Sequence, residues 1–150
     1  MQDYKKLDVW HEAHAHILKV RKVTNRFPRS GYATLKRQLI GATESIAFNI
    51  VEGCGAFTQK EFARFLEISI KSSSEAEYQL KLGHDYGIID GVLWTSLSNK
   101  TVQIRKMLCK LRARVIESID DEEDEENEED DETSSDPDGD EMSSDPDGDG

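Results

Sequence analysis

Between Leu7 and Phe27 the positions Trp10, Ala13, Ile17, Val20, Thr24 and Phe27 recur at alternating steps of three and four. That spacing lines one face of an amphipathic helix, which Pro28 and Gly31 then end. A second stripe runs through Leu35, Leu39, Ala42, Ile46, Asn49 and Gly53, with Ile50 beside it and Asn49 as its polar member. The third repeats the pattern as Phe62, Leu66, Ser69, Ser73, Ala76 and Leu80. Its middle is all small residues, so a neighbouring helix can approach closely there. Gly83 and Gly87 mark its end. The fourth opens at Asp90, a residue type suited to an N-cap, and continues through Leu93, Leu97, Thr101, Ile104, Leu108, Leu111 and Val115.

No stretch alternates with period two for long enough to predict a strand. Helices of about 20 to 28 residues, each roughly 30 to 40 Å long, joined by short connections, predict an all-α, antiparallel up-down-up-down four-helix bundle.

The segment NIVEGCGAFTQKEF, Asn49 to Phe62, has three readings: a phosphate-cradling loop, the seat of a reactive thiol, or a helix corner. A phosphate loop wants a Gly-Lys-Ser/Thr ending after a strand. Here the glycines follow a helix and no Lys adjoins them. Thr58-Gln59-Lys60-Glu61 instead forms a capping-box pattern. Phe57 and Phe62 stand where a hydrophobic staple would close the turn, and Gly53 and Gly55 would supply the positive φ of a helix C-cap. The corner reading is favoured, with Cys54 an inert small residue because no base or second thiol is placed beside it.

Charge changes the picture at Glu117. Residues 1–116 hold all 19 Lys and Arg against 11 acids, while 117–150 hold 20 acids and no base, so the net charge of −12 describes neither part. The expected organisation is a bundle over 1–116 and a disordered acidic tail over 117–150, ending in SSDPDGD at Ser134 and again at Ser143. Asp145 to Gly150 resembles the first half of a calcium loop but lacks the bidentate Glu of its twelfth position.

Two cysteines, Cys54 and Cys109, without partner spacing fit a reduced, cytoplasmic setting. The charged N-terminus carries no apolar run, so no signal peptide or membrane span is expected. His11, His14 and His16 with Glu12 lack the zinc-protease pattern, since position 15 is Ala. Glu75 and Glu77 are two residues apart and so fall on different helix faces. No catalytic constellation, metal site or cofactor is implied, and the expectation is a non-enzyme.

The basic body is the strongest remaining signal. Lys36, Arg37, Lys60, Arg64 and Lys71 flank the second and third helices, and Arg105, Lys106, Lys110, Arg112 and Arg114 crowd the end of the fourth. Such clusters attract a phosphate backbone without reading its sequence, although basic residues near a helix C-terminus are also favoured by its dipole. Phe57, Phe65, Ile68 and Trp94 fall off the core stripes, which points to self-association.

NIVEG followed by KEFARFLEISIKSSSEAEYQL, together with LDVWHEAH and Tyr86-Gly87, resembles the four-helix-bundle family of the 23S ribosomal RNA intervening-sequence proteins. More remotely it resembles the accessory variability proteins of diversity-generating retroelements. The likeness covers about residues 3 to 116. It implies a bacterial, non-enzymatic bundle that assembles into a homo-oligomeric ring of five, with RNA, DNA or a nucleic-acid-handling protein such as a reverse transcriptase as partner. By that resemblance Asn49, Glu52, Glu61, Phe62, Phe65, Leu66, Glu75 and Glu77 are structural or interface positions. The chain departs from the family pattern at Ile40-Gly41 and Ala56-Phe57, where relatives carry basic pairs, and at Ala47, where they carry Pro. The alternative function is a protein–protein assembly module with no nucleic-acid role.

Overall fold

The computed structural model describes residues 1–133. A 3-10 turn, Tyr4–Lys6, precedes four helices: α1 (Asp8–Thr24), α2 (Ala33–Cys54), α3 (Gln59–Asp85) and α4 (Gly91–Thr133). Met1–Ile119 forms one compact unit, and a second begins at Asp120.

Cross-helix contacts set the order and direction of the helices in the first unit. Gln2 N–H donates to Cys54 O, and Arg21 approaches Glu44, which pairs the start of α1 with the end of α2. Ser45 meets Ser72 at 2.8 Å, while Gly53 abuts Phe62, so α2 and α3 run antiparallel. Arg105 reaches Glu77 and Arg112 reaches Glu67, which makes α3 and α4 antiparallel as well. His16 and Glu12 touch Thr101 and Lys100, closing the square between α1 and α4. This is the up-down-up-down bundle that the periodicity predicts.

The core has two apolar storeys. Val9, Ala13, Ile46, Ile50, Phe62, Leu66, Ile104 and Leu108 fill the one nearer the Cys54 corner. Val20, Phe27, Leu35, Leu39, Ala76, Leu80, Ile89 and Leu97 fill the other. Between them each helix contributes buried polar side chains at the same level: His16, Thr43, Ser69 with Ser73, and Thr101. The hydroxyls donate within or across helices, Thr43 to Leu39 O, Thr101 to Leu97 O, Ser73 to Ile70 O and Ser69 to Ile46 O. Burial without these bonds would cost each group about 1–3 kcal/mol. The Ser69 bond to the backbone of α2 requires the close approach that small residues on α3 allow.

Helix ends follow local chemistry. Asp90 Oδ1 accepts from Leu93 N–H at 2.8 Å and starts α4 as expected. At the end of α3, Ile88 N–H donates to Gly83 O and Gly87 N–H to His84 O, with Gly87 at φ 79°. Those two bonds and that φ are a Schellman motif.

The α2–α3 corner is a helix corner, with two corrections to its details. Thr58 Oγ1 accepts from Glu61 N–H at 3.2 Å, so the Thr half of the capping box forms. Gly53 and Gly55 do not take positive φ: Gly53 lies inside α2 and Gly55 has φ −81°. Gly53 serves packing instead, because a Cβ there would lie 2.7 Å from the Phe62 ring. Phe62 therefore packs on the α2 backbone, and the staple with Phe57 is not made, Phe57 being 89% exposed.

The remaining difference lies beyond Val115, where composition predicts disorder from Glu117. Residues 117–133 are helical. Extending an existing helix fixes one residue per hydrogen bond, and Glu has good helix propensity, so propagation proceeds where nucleation would fail. Within the second unit, residues 120–132 are exposed throughout. The SSDPDGD repeats and the calcium-loop resemblance lie outside the described residues.

Candidate nucleic-acid interface

The ten basic positions singled out in the sequence fall in three places. Lys36 and Arg37 sit in the first turns of α2, at the end of the bundle opposite the Thr58 corner. Lys60, Arg64 and Lys71 share one face of α3 by their helical spacing, and Glu67 stands between Lys71 and Arg112 of α4. Lys106, Lys110 and Arg114 form a row on another side of α4.

Most cations on the α3–α4 face are engaged within the bundle. Arg105 pairs with Glu77 at 2.7 Å and donates to Ser74 Oγ at 3.3 Å. Arg112 lies 3.8 Å from Glu67 and donates from Nε to Ala63 O at 3.3 Å. Lys71 approaches the same Glu67 at 3.5 Å. The Arg64 guanidinium lies 5.8 Å from the centre of the Phe65 ring. The Arg105 and Arg112 contacts join α3 to α4, and Glu77 and Glu67 offset part of the charge that the composition offers.

The row on α4 differs. Lys106, Lys110 and Arg114 recur at four-residue steps, each about 6 Å along the axis, and all three are exposed with no acid partner among the described residues. Lys110 and Arg114 border a groove of about 470 Å³ between α4 and the start of α1, floored by Met107 and Leu111 and joined by Lys6 and Asp8. An extended polyanion laid along this row meets three cations in succession without displacing an ion pair.

The expected interface positions divide between core and surface. Phe62 and Leu66 are buried in the storey nearer the Cys54 corner and are structural. Asn49 Nδ2 donates to Ser45 O at 2.8 Å and to Ser45 Oγ at 3.0 Å, holding the Ser45–Ser72 contact between α2 and α3. Glu75 accepts from Gln79 Nε2 at 3.3 Å, and Glu77 is the partner of Arg105. Glu52 and Glu61 are exposed, and Phe65 is half-buried.

Cys54 is buried, and burial raises its thiol pKa above the ordinary value, with Asp3 adding to the rise. That is the opposite of the shift a nucleophilic thiolate needs. His11 binds Lys5 O at 2.6 Å and His14 stacks on Trp10. Among the described residues no three His, Cys, Asp or Glu side chains gather as a metal site. No described helix is long and apolar enough to cross a membrane.

Sequence reading overlooked two features. His16 is a buried member of the polar layer, which its spacing from Ala13 and Val20 could have indicated. Lys19 and Lys22, one turn apart on α1, lie in a groove with Lys100 of α4, and only the pairing of the two helices brings these three together.

A family model described as 23S rRNA-intervening sequence protein matches residues 5–110. The chain belongs to that family. Its fold is shared with the crystal structure of a protein of unknown function, from the S23 ribosomal protein family, of Bacteroides thetaiotaomicron VPI-5482. The two are 22% identical with a TM-score of 0.66, over 69% of this chain and 97% of the other. No curated protein matches. The family match spans the bundle through Lys110, including most of the row on α4, and stops before the acidic segment.

Proposed function

We propose that this member of the intervening-sequence family is a non-enzymatic adaptor that binds RNA or DNA through phosphate contacts. The observation that carries this reading is the row Lys106, Lys110 and Arg114, which has no acid partner among the described residues, beside a groove containing Lys6 and Asp8. The family name, which refers to a segment of ribosomal RNA, supports RNA as the first ligand to test. Binding is electrostatic and largely indifferent to base sequence, because Lys and Arg on one helix side offer charge without a fixed frame for base edges. In this reading the protein is cytoplasmic and bacterial, works as a ring-like homo-oligomer of five, and serves a nucleic-acid enzyme such as a reverse transcriptase.

The deciding experiment is an RNA titration at several salt concentrations with the full chain and with a Lys106→Gln, Lys110→Gln, Arg114→Gln variant. Each phosphate contact contributes about 0.7 to 0.9 to the slope of log K against log salt. The variant is expected to lose a slope of about 2 to 3 and most of the affinity. Equal slopes for the two proteins would refute the row as the interface.

The second reading, a protein-assembly module with no nucleic-acid role, is favoured by one observation. Phe48 of α2 and Val92 of α4 are 63% and 85% exposed, alongside Phe57 at the corner. Single exposed apolar residues are ordinary, but these fall on several elements and suit contact with further protein. Mass in solution at low and high salt separates the readings, since apolar docking survives salt and phosphate binding does not.

A further inference from the structure

Along the seam of α1 and α4, away from the Lys106–Arg114 row, a groove of about 400 Å³ is bordered by Lys19, Lys22 and Lys100. Its one acid, Glu12, is taken by Lys100 at 2.7 Å. Lys19 and Lys22 are exposed, lie one helical turn apart, and have no acid partner among the described residues. Two like charges at that spacing repel by a few tenths of a kcal/mol, and nothing in the groove relieves them. Ala15 and Leu18 complete the lining of the groove on the α1 side.

A second observation comes from His16, which is 2% exposed and also borders the groove. Its Nε2–H donates to Thr101 Oγ1, because that hydroxyl gives its own proton to Leu97 O. Nδ1 is left as a buried lone pair with no partner among the described residues. Burial, then Lys100 and Lys19, hold the imidazole neutral, with a pKa lowered to about 4. Two of the three lysines that border the groove thus act on His16: Lys100, with Glu12 beside it, and Lys19, with no acid partner among the described residues.

We propose that this groove binds a phosphate group, held by Lys19 and Lys22 and joined by Lys100 when it leaves Glu12. The arriving anion cancels the field of the lysines and replaces the Glu12–Lys100 pair with a Lys100–phosphate pair. His16 becomes easier to protonate once that field is cancelled, so it reports occupancy; the charged groups facing it are Glu12, Lys19 and Lys22 from α1 and Lys100 from α4. The phosphate comes either from a nucleic-acid backbone or from a free phosphorylated molecule. This site is independent of the row on α4.

The test is an NMR titration of the full chain, following the His16 ring and the Thr101 amide, with inorganic phosphate in one arm and a short single-stranded RNA in the other. Sodium chloride at matched ionic strength is the control. Saturable shifts with phosphate, absent with chloride, are expected, with an upward move of the His16 titration. Lys19→Gln with Lys22→Gln, both at exposed positions, should weaken binding at least fivefold, and Glu12→Gln should strengthen it by freeing Lys100. Shifts in the inorganic arm alone assign a free phosphorylated ligand, and shifts in both arms or in the RNA arm alone assign a backbone. Lys106→Gln with Lys110→Gln should leave inorganic phosphate binding unchanged even where RNA affinity falls, which separates this site from the adaptor reading. Shifts that match the chloride control, or that persist undiminished in the Lys19/Lys22 variant, would overturn the proposal.

Discussion

His16 of α1 donates its Nε2–H to the Thr101 hydroxyl of α4 at 2.9 Å, in the buried polar layer that separates two apolar storeys. The bond fixes the tautomer of the imidazole and leaves no site at which a second proton finds an acceptor.

That arrangement makes stability depend on acid. The folded-state pKa of His16, about 4, lies below its ordinary 6.5. Between those values the unfolded chain binds a proton that the folded chain refuses, so stability is full above pH 6.5 and falls as pH drops toward 4. The loss amounts to about 3 kcal/mol at roughly 1.4 kcal/mol per pKa unit. Urea unfolding at pH 7 and pH 4.5 should show about 2 kcal/mol of this difference in the native chain and a clearly smaller one in His16→Gln. An identical pH dependence in the two would mean that His16 is not the group responsible.

Two glycines of α2 should respond in opposite directions to the same change. Gly41 is exposed with no atom near its absent side chain, so Gly41→Ala gains helix propensity and should stabilise by up to about 1 kcal/mol. At Gly53 the new methyl meets the Phe62 ring at 2.7 Å and Phe65 Cβ at 3.1 Å. Overpacking of that kind costs about 1–3 kcal/mol, enough to outweigh the propensity gain. Thermal melts of the two variants should move apart in sign; a stabilised Gly53→Ala would show that the corner relaxes freely.

Arg105 and Lys110 are five residues apart on one helix, yet their charges have different uses. Arg105→Gln breaks the Glu77 pair and should cost stability while changing RNA affinity little. A double-mutant cycle with Glu77→Gln should give a coupling of about 0.5 to 1 kcal/mol, since the pair is partly exposed and screened. Lys110→Gln should do the reverse, leaving the melting temperature within a degree or two and weakening RNA binding. If Arg105→Gln proves the more damaging to binding, the interface lies on the α3–α4 face instead.

The α3–α4 connection can be probed through Gly87, whose φ of 79° glycine adopts without the strain that a Cβ brings. Gly87→Ala should destabilise by about 1 kcal/mol, and Asp90→Ala by a similar amount through loss of the α4 cap. Both should leave nucleic-acid affinity intact at a temperature where the variants are folded. A loss of affinity in either would tie this end of the bundle to binding.

The fold was legible because its causes are local and periodic. Stripes at three-and-four spacing, Asp90 as a cap and Gly87 as a terminator are each visible within a few residues, and burial followed the stripes at Leu39, Leu66, Leu80 and Leu108. The corner at Cys54 was legible only in outline. Gly53 reads equally well as a positive-φ residue or as a packing gap, and the choice depends on where Phe62, nine residues later, places its ring. The end of α4 lies further along the chain than the charge shift suggests for a related reason: composition reports what a segment does alone, whereas a helix already nucleated upstream extends through it.

Of the candidate interface, the chain itself determined which helices carry basic residues, since each charge belongs to a position on a helix. Which charges remain available was decided by tertiary packing. Arg105 and Arg112 are absorbed by Glu77 and Glu67 only because α3 lies beside α4, while Lys106, Lys110 and Arg114 form no ion pair among the described residues, even with Asp8 across the groove. Periodicity is a property of one helix, whereas the pairing of charges is a property of two, and no spacing along a single chain specifies it.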